Sequence, residues 1–204
     1  MQTGERKDVY KVYDRIADWF FKERQGDLTQ ERNYLDNLIS LLPEGGTVLD
    51  LGCGTGKPIL EYLRHNKLKV TGVDASYKML EIARTNFPDV EFVLQDMRLL
   101  DLGRRFDADI AWHSFFHLPE DDQPPMFARF AQHLNHNGIL IFTSGPSRGE
   151  AWGVNGGENL FHASLDTEEY KALLLQNGFE VLKHVIEDPD CGGATVWVAR
   201  YNPA

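Results

Sequence analysis

The first 42 residues have the periodicity of two amphipathic helices. Apolar side chains recur every three or four positions, which is the spacing of one helix face. The first face consists of Val9, Val12, Tyr13, Ile16, Trp19 and Phe20, and the second of Tyr34, Leu35, Leu38 and Leu41. Thr29 is a candidate N-cap for the second helix, and Pro43 with Gly45-Gly46 predicts its end.

From residue 47 onward, short apolar runs alternate with helical patterns. The predicted strands cover 47–51, 69–73, 90–94, 108–112 and 139–143, and helices are predicted to begin near Pro58, Ser76 and Asp121. This alternation is typical of βαβ units with right-handed crossovers and a parallel sheet. Residues 144–164 are rich in glycine and are predicted as a long loop at the ligand-facing edge.

The C-terminal part of the chain departs from this alternation. After a predicted helix over 167–176, two strands over 180–186 and 194–201 are joined by a loop too short for a helical crossover. We therefore expect these strands to pair antiparallel as a hairpin. The predicted fold is α/β: a doubly wound, Rossmann-like sheet of seven strands, mostly parallel, with a C-terminal antiparallel hairpin and helices on both faces.

Composition and charge narrow the function classes. The 204 residues, 42% of them hydrophobic, fit a single domain over 1–204, with a helical lid over 1–42 and a core over 43–204. The net charge of −10 and the lack of a basic run argue against nucleic acid and anionic membrane as partners. No apolar run approaches the roughly 20 residues that span a bilayer, and the start lacks the apolar core of a signal peptide. We expect a cytoplasmic protein, monomeric or homodimeric.

A glycine loop follows the first predicted strand. Residues 52–56 read G-x-G-x-G, whereas dinucleotide sites usually have G-x-G-x-x-G. Glycines allow a tight turn and close approach of a ligand to the backbone, and the helix that follows supplies free N–H donors. Asp50, Asp74 and Asp96 come at or just after the ends of three successive strands, which is the edge where open α/β sheets bind ligands. An NAD-dependent oxidoreductase stays open as an alternative.

Five segments together resemble the class I S-adenosylmethionine (SAM)-dependent methyltransferases, especially their small-molecule members. They are VLDLGCGTG, GVDAS, QDM, FDADIAWHSFFHLP and LNHNGILIFTSG. The resemblance runs from about residue 8 to residue 201 and includes the terminal hairpin. No N/D-P-P-Y/F motif is present, which argues against N-methylation of DNA bases, glutamine or adenine.

The resemblance implies SAM as cofactor and S-adenosylhomocysteine (SAH) as product. The glycines would hold the methionine part, Asp74 the ribose and Asp96 the adenine, with Met97 over the ring, while Asp50 is a suitable partner for the α-amino group. The predicted cofactor-binding residues are Tyr13, Asp50, Gly52, Cys53, Gly54, Gly56, Asp74, Ala75, Ser76, Met79, Asp96, Met97, Trp112 and His113.

Residues at the end of the fourth predicted strand lie near the expected methyl position. His113 and His117 are therefore candidate general bases, although packing against the cofactor and loop exposure are the alternatives. Candidate substrate residues are Tyr10, Phe116, Arg148 and Glu150. No metal site is predicted, because no H-E-x-x-H motif occurs. A SAM-binding sensor or partner subunit without catalysis would carry the same cofactor motifs, so this alternative also stays open.

Overall fold

A computed structural model describes residues 5–24 and 28–203, whose strands form one large sheet and one separate hairpin. The helices are α1 (Tyr10–Glu23), α2 (Arg32–Leu41), α3 (Ile59–His65), α4 (Tyr77–Asn86), α5 (Pro124–His133) and α6 (Thr167–Gln176). The strands are β1 (Thr47–Leu51), β2 (Lys69–Asp74), β3 (Glu91–Leu94), β4 (Phe106–Ala111), β5 (Leu134–Ser144), β6 (Gly149–Asn155), β7 (Glu158–Ser164), β8 (Phe179–Asp188) and β9 (Ala194–Tyr201).

The large sheet has seven strands in the order β3-β2-β1-β4-β5-β9-β8. Strands β1 to β5 pair in parallel, whereas β9 pairs antiparallel with both β5 and β8. The strand order reverses direction beside β1, so a crevice opens at the carboxyl ends of β1 and β4. The predicted fold class and the terminal antiparallel hairpin are confirmed.

Alternation of side chains along the strands places one apolar cluster on each face of the sheet. Leu49 of β1 packs with aromatic residues of α5 and α6, whereas its neighbour Val48 packs with Leu35 of α2 and Leu60 of α3. Successive strand residues point to opposite faces, so a buried strand that is apolar throughout supplies both clusters.

The N-terminal helices differ from the prediction in detail. The residue at the N-cap of α2 is Glu31 rather than Thr29, and Leu41 is 41% exposed rather than part of the buried face. Helix α2 packs into the core, whereas α1 lies across the carboxyl ends of the strands. Within the described part of residues 1–42, the cavity is lined by α1 and by residues directly before and after it, so α1 is the part of the predicted lid that lies at the cavity.

Residues 149–164 form a β-hairpin, where the sequence predicted a loop. Strands β6 and β7 pair antiparallel from Gly149 with Ser164 to Asn155 with Glu158. The two-residue turn Gly156-Gly157 has φ values of +56° and +82°, as a type I′ turn requires. The predicted loop is wrong because the Asn-Gly-Gly sequence at 155–157 is a hairpin signal, and the glycines supply its turn rather than an irregular segment.

No helix in residues 5–24 and 28–203 is both long and apolar enough to cross a lipid bilayer.

Candidate active site

A cavity of about 420 Å³ lies at the carboxyl ends of β1, β2 and β4, beneath α1. Most of the side chains that the sequence singled out line it. These are Tyr10, Tyr13, Asp50, Gly52, Cys53, Gly54, Asp74, Ala75, Met79, Asp96, Met97, Trp112, His113, Phe116 and His117.

The glycine loop bonds to its own surroundings through its backbone. The N–H groups of Gly52 and Cys53 donate to the carbonyl of Val73, and the N–H of Gly56 donates to the carbonyl of Cys53. The N–H of Gly54 donates to Oδ2 of Asp74 over 2.8 Å. These four donors of the loop are therefore already satisfied within the protein, and the predicted free N–H donors are those of the helix that follows.

Glycine at position 52 is required by a close approach of two segments. Its φ is +75°, and an added Cβ would lie 2.3 Å from Cβ of Ser114. Ser114 is held there because its hydroxyl donates to the carbonyl of Leu51 over 2.6 Å. Gly56 packs against Phe87 and does not line the cavity, so its contribution to the site is the shape of the loop.

Two carboxyl groups, those of the buried Asp50 and the half-buried Asp74, stand at the ends of adjacent strands. Burial raises the pKa of Asp50 to about 7 and that of Asp74 to about 6, and the charge of Asp74 adds to the shift of Asp50. Within the described residues, neither carboxylate has a salt bridge. An acid that loses hydration without gaining a cation is a candidate binding group for a positively charged ligand.

Asp96 is held by Arg98 at the other end of the cavity. Its carboxylate accepts from the backbone N–H, Nε and Nη2 of Arg98, with the shortest contact 2.5 Å. The same guanidinium contacts Asp122 over 3.0 Å and Asp8 over 3.4 Å. One cation thus joins the segment before α1 to the sheet edge.

Asp14 of α1 ties the lid helix to the loop after β2. Its Oδ1 accepts from the hydroxyl of Ser76 over 2.7 Å and from the backbone N–H of Lys78 over 3.0 Å. Ser76 is fully buried and does not line the cavity, but its backbone N–H donates to Oδ1 of Asp74 over 2.8 Å. Ser76 therefore helps to hold the Asp74 carboxylate in place without lining the cavity itself.

Tyr13 and His117 form a hydrogen-bonded pair inside the cavity. The Tyr13 hydroxyl lies 2.9 Å from Nε2 of His117, and Nδ1 of His117 lies 2.7 Å from the carbonyl oxygen of Phe161. Because a carbonyl only accepts, Nδ1 carries the proton, and Nε2 accepts from the Tyr13 hydroxyl. Burial lowers the pKa of His117 to about 3 and raises that of Tyr13, so both groups are neutral at physiological pH.

His113 occupies a strained position directly after β4. Its φ of +49° lies in the left-handed region, and its backbone N–H donates to Oγ1 of Thr143 over 2.8 Å. The exposed surface of its ring faces the cavity, while the surrounding protein lowers its pKa. Strain of this kind is concentrated at functional sites.

Arg148 and Glu150 lie outside the cavity, contrary to their predicted place beside a substrate. Arg148 forms ion pairs with Glu120 and Glu169 over 2.8 Å and 2.6 Å. Glu150 pairs with Arg6 on the surface of the hairpin. The sequence could not reveal the ion-pair partners of Arg148 and Glu150, because those partners come from elements that are distant in the chain.

The structure adds Arg24 and His162 to the site. Arg24 follows α1 and donates to the buried carboxylate of Glu31 over 2.6 Å. His162 projects from β7, so finding it required recognition of the hairpin. Buried Gln123 fixes β7 here, because its amide donates to the carbonyls of Leu118 and Ala163.

Within the described residues, no group of three or more His, Cys, Asp and Glu side chains could hold a metal ion.

The comparisons with known proteins agree on the family. Residues 48–138 match the model of the methyltransferase domain family. The chain is 31% identical over 137 residues to dTDP-3-amino-3,4,6-trideoxy-alpha-D-glucopyranose N,N-dimethyltransferase from Streptomyces venezuelae, a match that covers 65% of this chain and 57% of that one. It is 32% identical to dTDP-4-amino-2,3,4,6-tetradeoxy-D-glucose N,N-dimethyltransferase from Saccharopolyspora spinosa, with 66% and 53% covered.

A solved structure extends the similarity to the fold of the whole chain. SAM-bound CalS10, an amino pentose methyltransferase from Micromonospora echinaspora, superposes with a TM-score of 0.73 at 21% identity, covering 92% of this chain and 97% of that one. The matches to the two curated relatives span little more than half of their length. Residues 48–138 match the methyltransferase domain family, and the chain shares its Rossmann-like fold with a SAM-bound methyltransferase.

Proposed function

We propose that this chain is an enzyme that moves a methyl group from SAM to a small-molecule acceptor by in-line displacement. The observation that carries the proposal is the pair of carboxyl groups of buried Asp50 and half-buried Asp74, which have no salt bridge among the described residues and lie beside a glycine loop with four satisfied N–H groups. Such a site suits a ligand with a positive charge and hydroxyl donors, and it offers little to a pyrophosphate.

The residues present fit SAM group by group. Asp50 would pair with the α-amino group, and Asp74 would accept from the ribose hydroxyls with the lone pairs that Gly54 and Ser76 leave free. Arg24 lines the same cavity and, while its Nη2 binds Glu31, would direct its remaining N–H groups to the carboxylate of SAM, which leaves it no charge for an anionic acceptor. Met79 and Met97 would pack against the adenine ring, whose amino group would share the Asp96 carboxylate with Arg98.

When bound, SAM supplies a methyl group activated by a sulfonium centre. The chain's own contribution is to position the acceptor and exclude water, which α1 does by covering the cavity. The Tyr13 hydroxyl donates to His117, so its oxygen is left to accept a hydrogen bond from the acceptor. A proton released by the acceptor would pass to the Tyr13 oxygen, while the Tyr13 hydroxyl proton would pass to Nε2 of His117.

His117 is therefore proposed as a base that acts through Tyr13. The carbonyl of Phe161 holds its ring by accepting from Nδ1–H, and this bond would stabilise the imidazolium as it forms. His113, beside the same cavity, is proposed to pack against the methyl-donor side.

Calorimetry with SAM, SAH and NAD⁺ tests the cofactor assignment. We expect micromolar binding of SAM and SAH and none of NAD⁺, with loss of SAH binding in Asp74→Ala but not in Asp121→Ala, which changes an exposed carboxylate. Binding of NAD⁺ in place of SAH would overturn the proposal. Transfer of labelled methyl groups to an acceptor set then separates an enzyme from a SAM-binding subunit, since the latter would bind SAH and transfer nothing.

A further inference from the structure

Five aromatic side chains line one end of the cavity, which we assign to the methyl acceptor. Tyr13, His113, Phe116, His117 and His162 all line the cavity, and we call them the ring cluster. The ring of Phe116 lies 5.7 Å, 4.9 Å and 5.1 Å from those of the three histidines, and His117 lies 4.7 Å from His162 between ring centroids. These spacings are those of packed aromatic rings.

The ring cluster carries no formal charge. The pKa of each of its three histidines is lowered, with burial as the main cause, and burial raises the pKa of Tyr13. Imidazole and phenol groups in this state offer one hydrogen bond at a time and attract neither an anion nor a cation strongly. No carboxylate belongs to the cluster, whereas Asp50 and Asp74 serve the cofactor end.

The cations that line the rest of the cavity are already paired. Arg24 binds Glu31, Arg98 binds three carboxylates, and Nζ of Lys57 lies 3.7 Å from Glu61. Lys7 alone among the described cavity cations has no ion pair, and one exposed ammonium does not balance a diphosphate.

We propose that the methyl acceptor is a small, uncharged molecule with a planar ring and no phosphate or carboxylate group, which stacks in the ring cluster with its polar edge toward His162. This rests on the proposed function, since it names the substrate class of the same site. His162 is suited to that edge because it stands on β7 paired with Ala151 of β6, and its ring lies over Gly153, where an added Cβ would be 3.1 Å from Cε1 of His162. Because Gly153 has no side chain, the imidazole of His162 can occupy its position at the cavity wall.

Three probes that share one ring test the charge preference. Indole-3-acetamide, indole-3-acetate and tryptamine are neutral, anionic and cationic, and dTDP serves as a nucleoside diphosphate probe. We expect the SAH-loaded protein to bind the neutral indole at least tenfold more tightly than the other three, measured by ligand-observed NMR. Equal binding, tighter binding of a charged probe, or no binding of any probe would overturn the inference.

A charge introduced at His162 gives a second readout. In His162→Asp we expect the preference to change to tryptamine by tenfold or more with SAH affinity unchanged, whereas His136→Asp, at an exposed position outside the cavity, should keep the wild-type ranking. An unchanged ranking in His162→Asp would place the acceptor elsewhere. If SAH itself fails to bind, the proposed function fails, and the ranking on the unloaded protein still supports or overturns the charge preference.

Discussion

The hydroxyl of Tyr13 donates to Nε2 of His117 across 2.9 Å, which joins the lid helix to the loop after β4. The two residues are 104 positions apart in the chain, and a third residue, Phe161 on the separate hairpin, fixes the imidazole through its carbonyl. Three elements that share no sheet thus determine the tautomer and direction of one imidazole. A histidine oriented in this way is poised for proton transfer rather than for surface solvation.

Removing either member of this pair should lower turnover more than binding. We expect Tyr13→Phe and His117→Gln each to reduce kcat by roughly 100-fold, because each breaks the same proton path. The double variant should be little slower than either single one, since residues that act as a unit are non-additive. Steady-state kinetics with a labelled methyl donor measure this, and Tyr77→Phe, at an exposed tyrosine outside the cavity, is the control. Losses that multiply in the double variant would contradict a shared path.

Cofactor affinity should depend on pH through Asp50 and Asp74. Their pKa values of about 7 and 6 mean that both carboxyl groups gain protons as the pH falls from 8 to 5, so the attraction for the cationic ligand is lost on the acid side. We expect the Kd of SAH to rise at least tenfold from pH 8 to pH 5 in calorimetry. Asp50→Asn should bind more weakly at pH 8 and show a flatter pH dependence. A Kd that is constant over this range would show that neither carboxylate titrates in the binding step.

Alanine at position 52 should abolish cofactor binding through a steric clash. The added Cβ would meet Ser114 at 2.3 Å and force the loop away from the strand ends. Gly103→Ala is a matched control, because Gly103 also has a positive φ, +63°, but has nothing within 4 Å of an added Cβ. We expect a similar cost in backbone strain, about 1 kcal/mol, in both variants. Loss of SAH binding should occur in Gly52→Ala alone, and equal losses would point to strain as the cause.

Asp109 is a buried acid that the proposed site does not use. It is fully buried in β4 between Leu49 and Leu140, and neither of its carboxyl oxygens has a hydrogen-bond partner among the described residues. Burial raises its pKa far above the ordinary value, so the folded chain keeps the proton that the unfolded chain releases near pH 4. Its contribution to folding stability therefore decreases as the pH rises above about 4.

Replacing Asp109 by valine should stabilise the fold, and more so at higher pH. We expect a gain of about 1–3 kcal/mol at pH 8, because the variant no longer buries an unsatisfied polar group. That gain corresponds to a rise in Tm of several degrees in thermal unfolding. Asp109→Asn keeps the shape and a buried polar group but cannot titrate, so it should remove the pH dependence only. A valine variant that is less stable at pH 8 would show that Asp109 has a role that the structure does not reveal.

The sequence by itself determined the elements whose signals are local. Ser76 caps α4 as predicted, the helix over Thr167–Gln176 and the strand over Ala194–Tyr201 have the predicted bounds, and the glycine loop joins the two predicted elements. Caps, apolar periodicity and positive-φ glycines are properties of a few consecutive residues, so they can be read without the fold. The three acids at strand ends could be placed at one edge for a related reason, since parallel strands end together.

Only the tertiary structure decided which side chains meet in the site. His162 enters the cavity because β7 is pinned by Gln123, whereas Arg148 is drawn away by Glu120 and Glu169. The lid helix is joined to the sheet edge by Asp14 with Ser76, and the tautomer of His117 depends on a carbonyl 44 residues away. Such contacts are set by packing among distant elements. The chain's local patterns therefore place the glycine loop and the three acids at one edge of the sheet, while the opposite side of the cavity is determined by how α1 and the β6–β7 hairpin close over it.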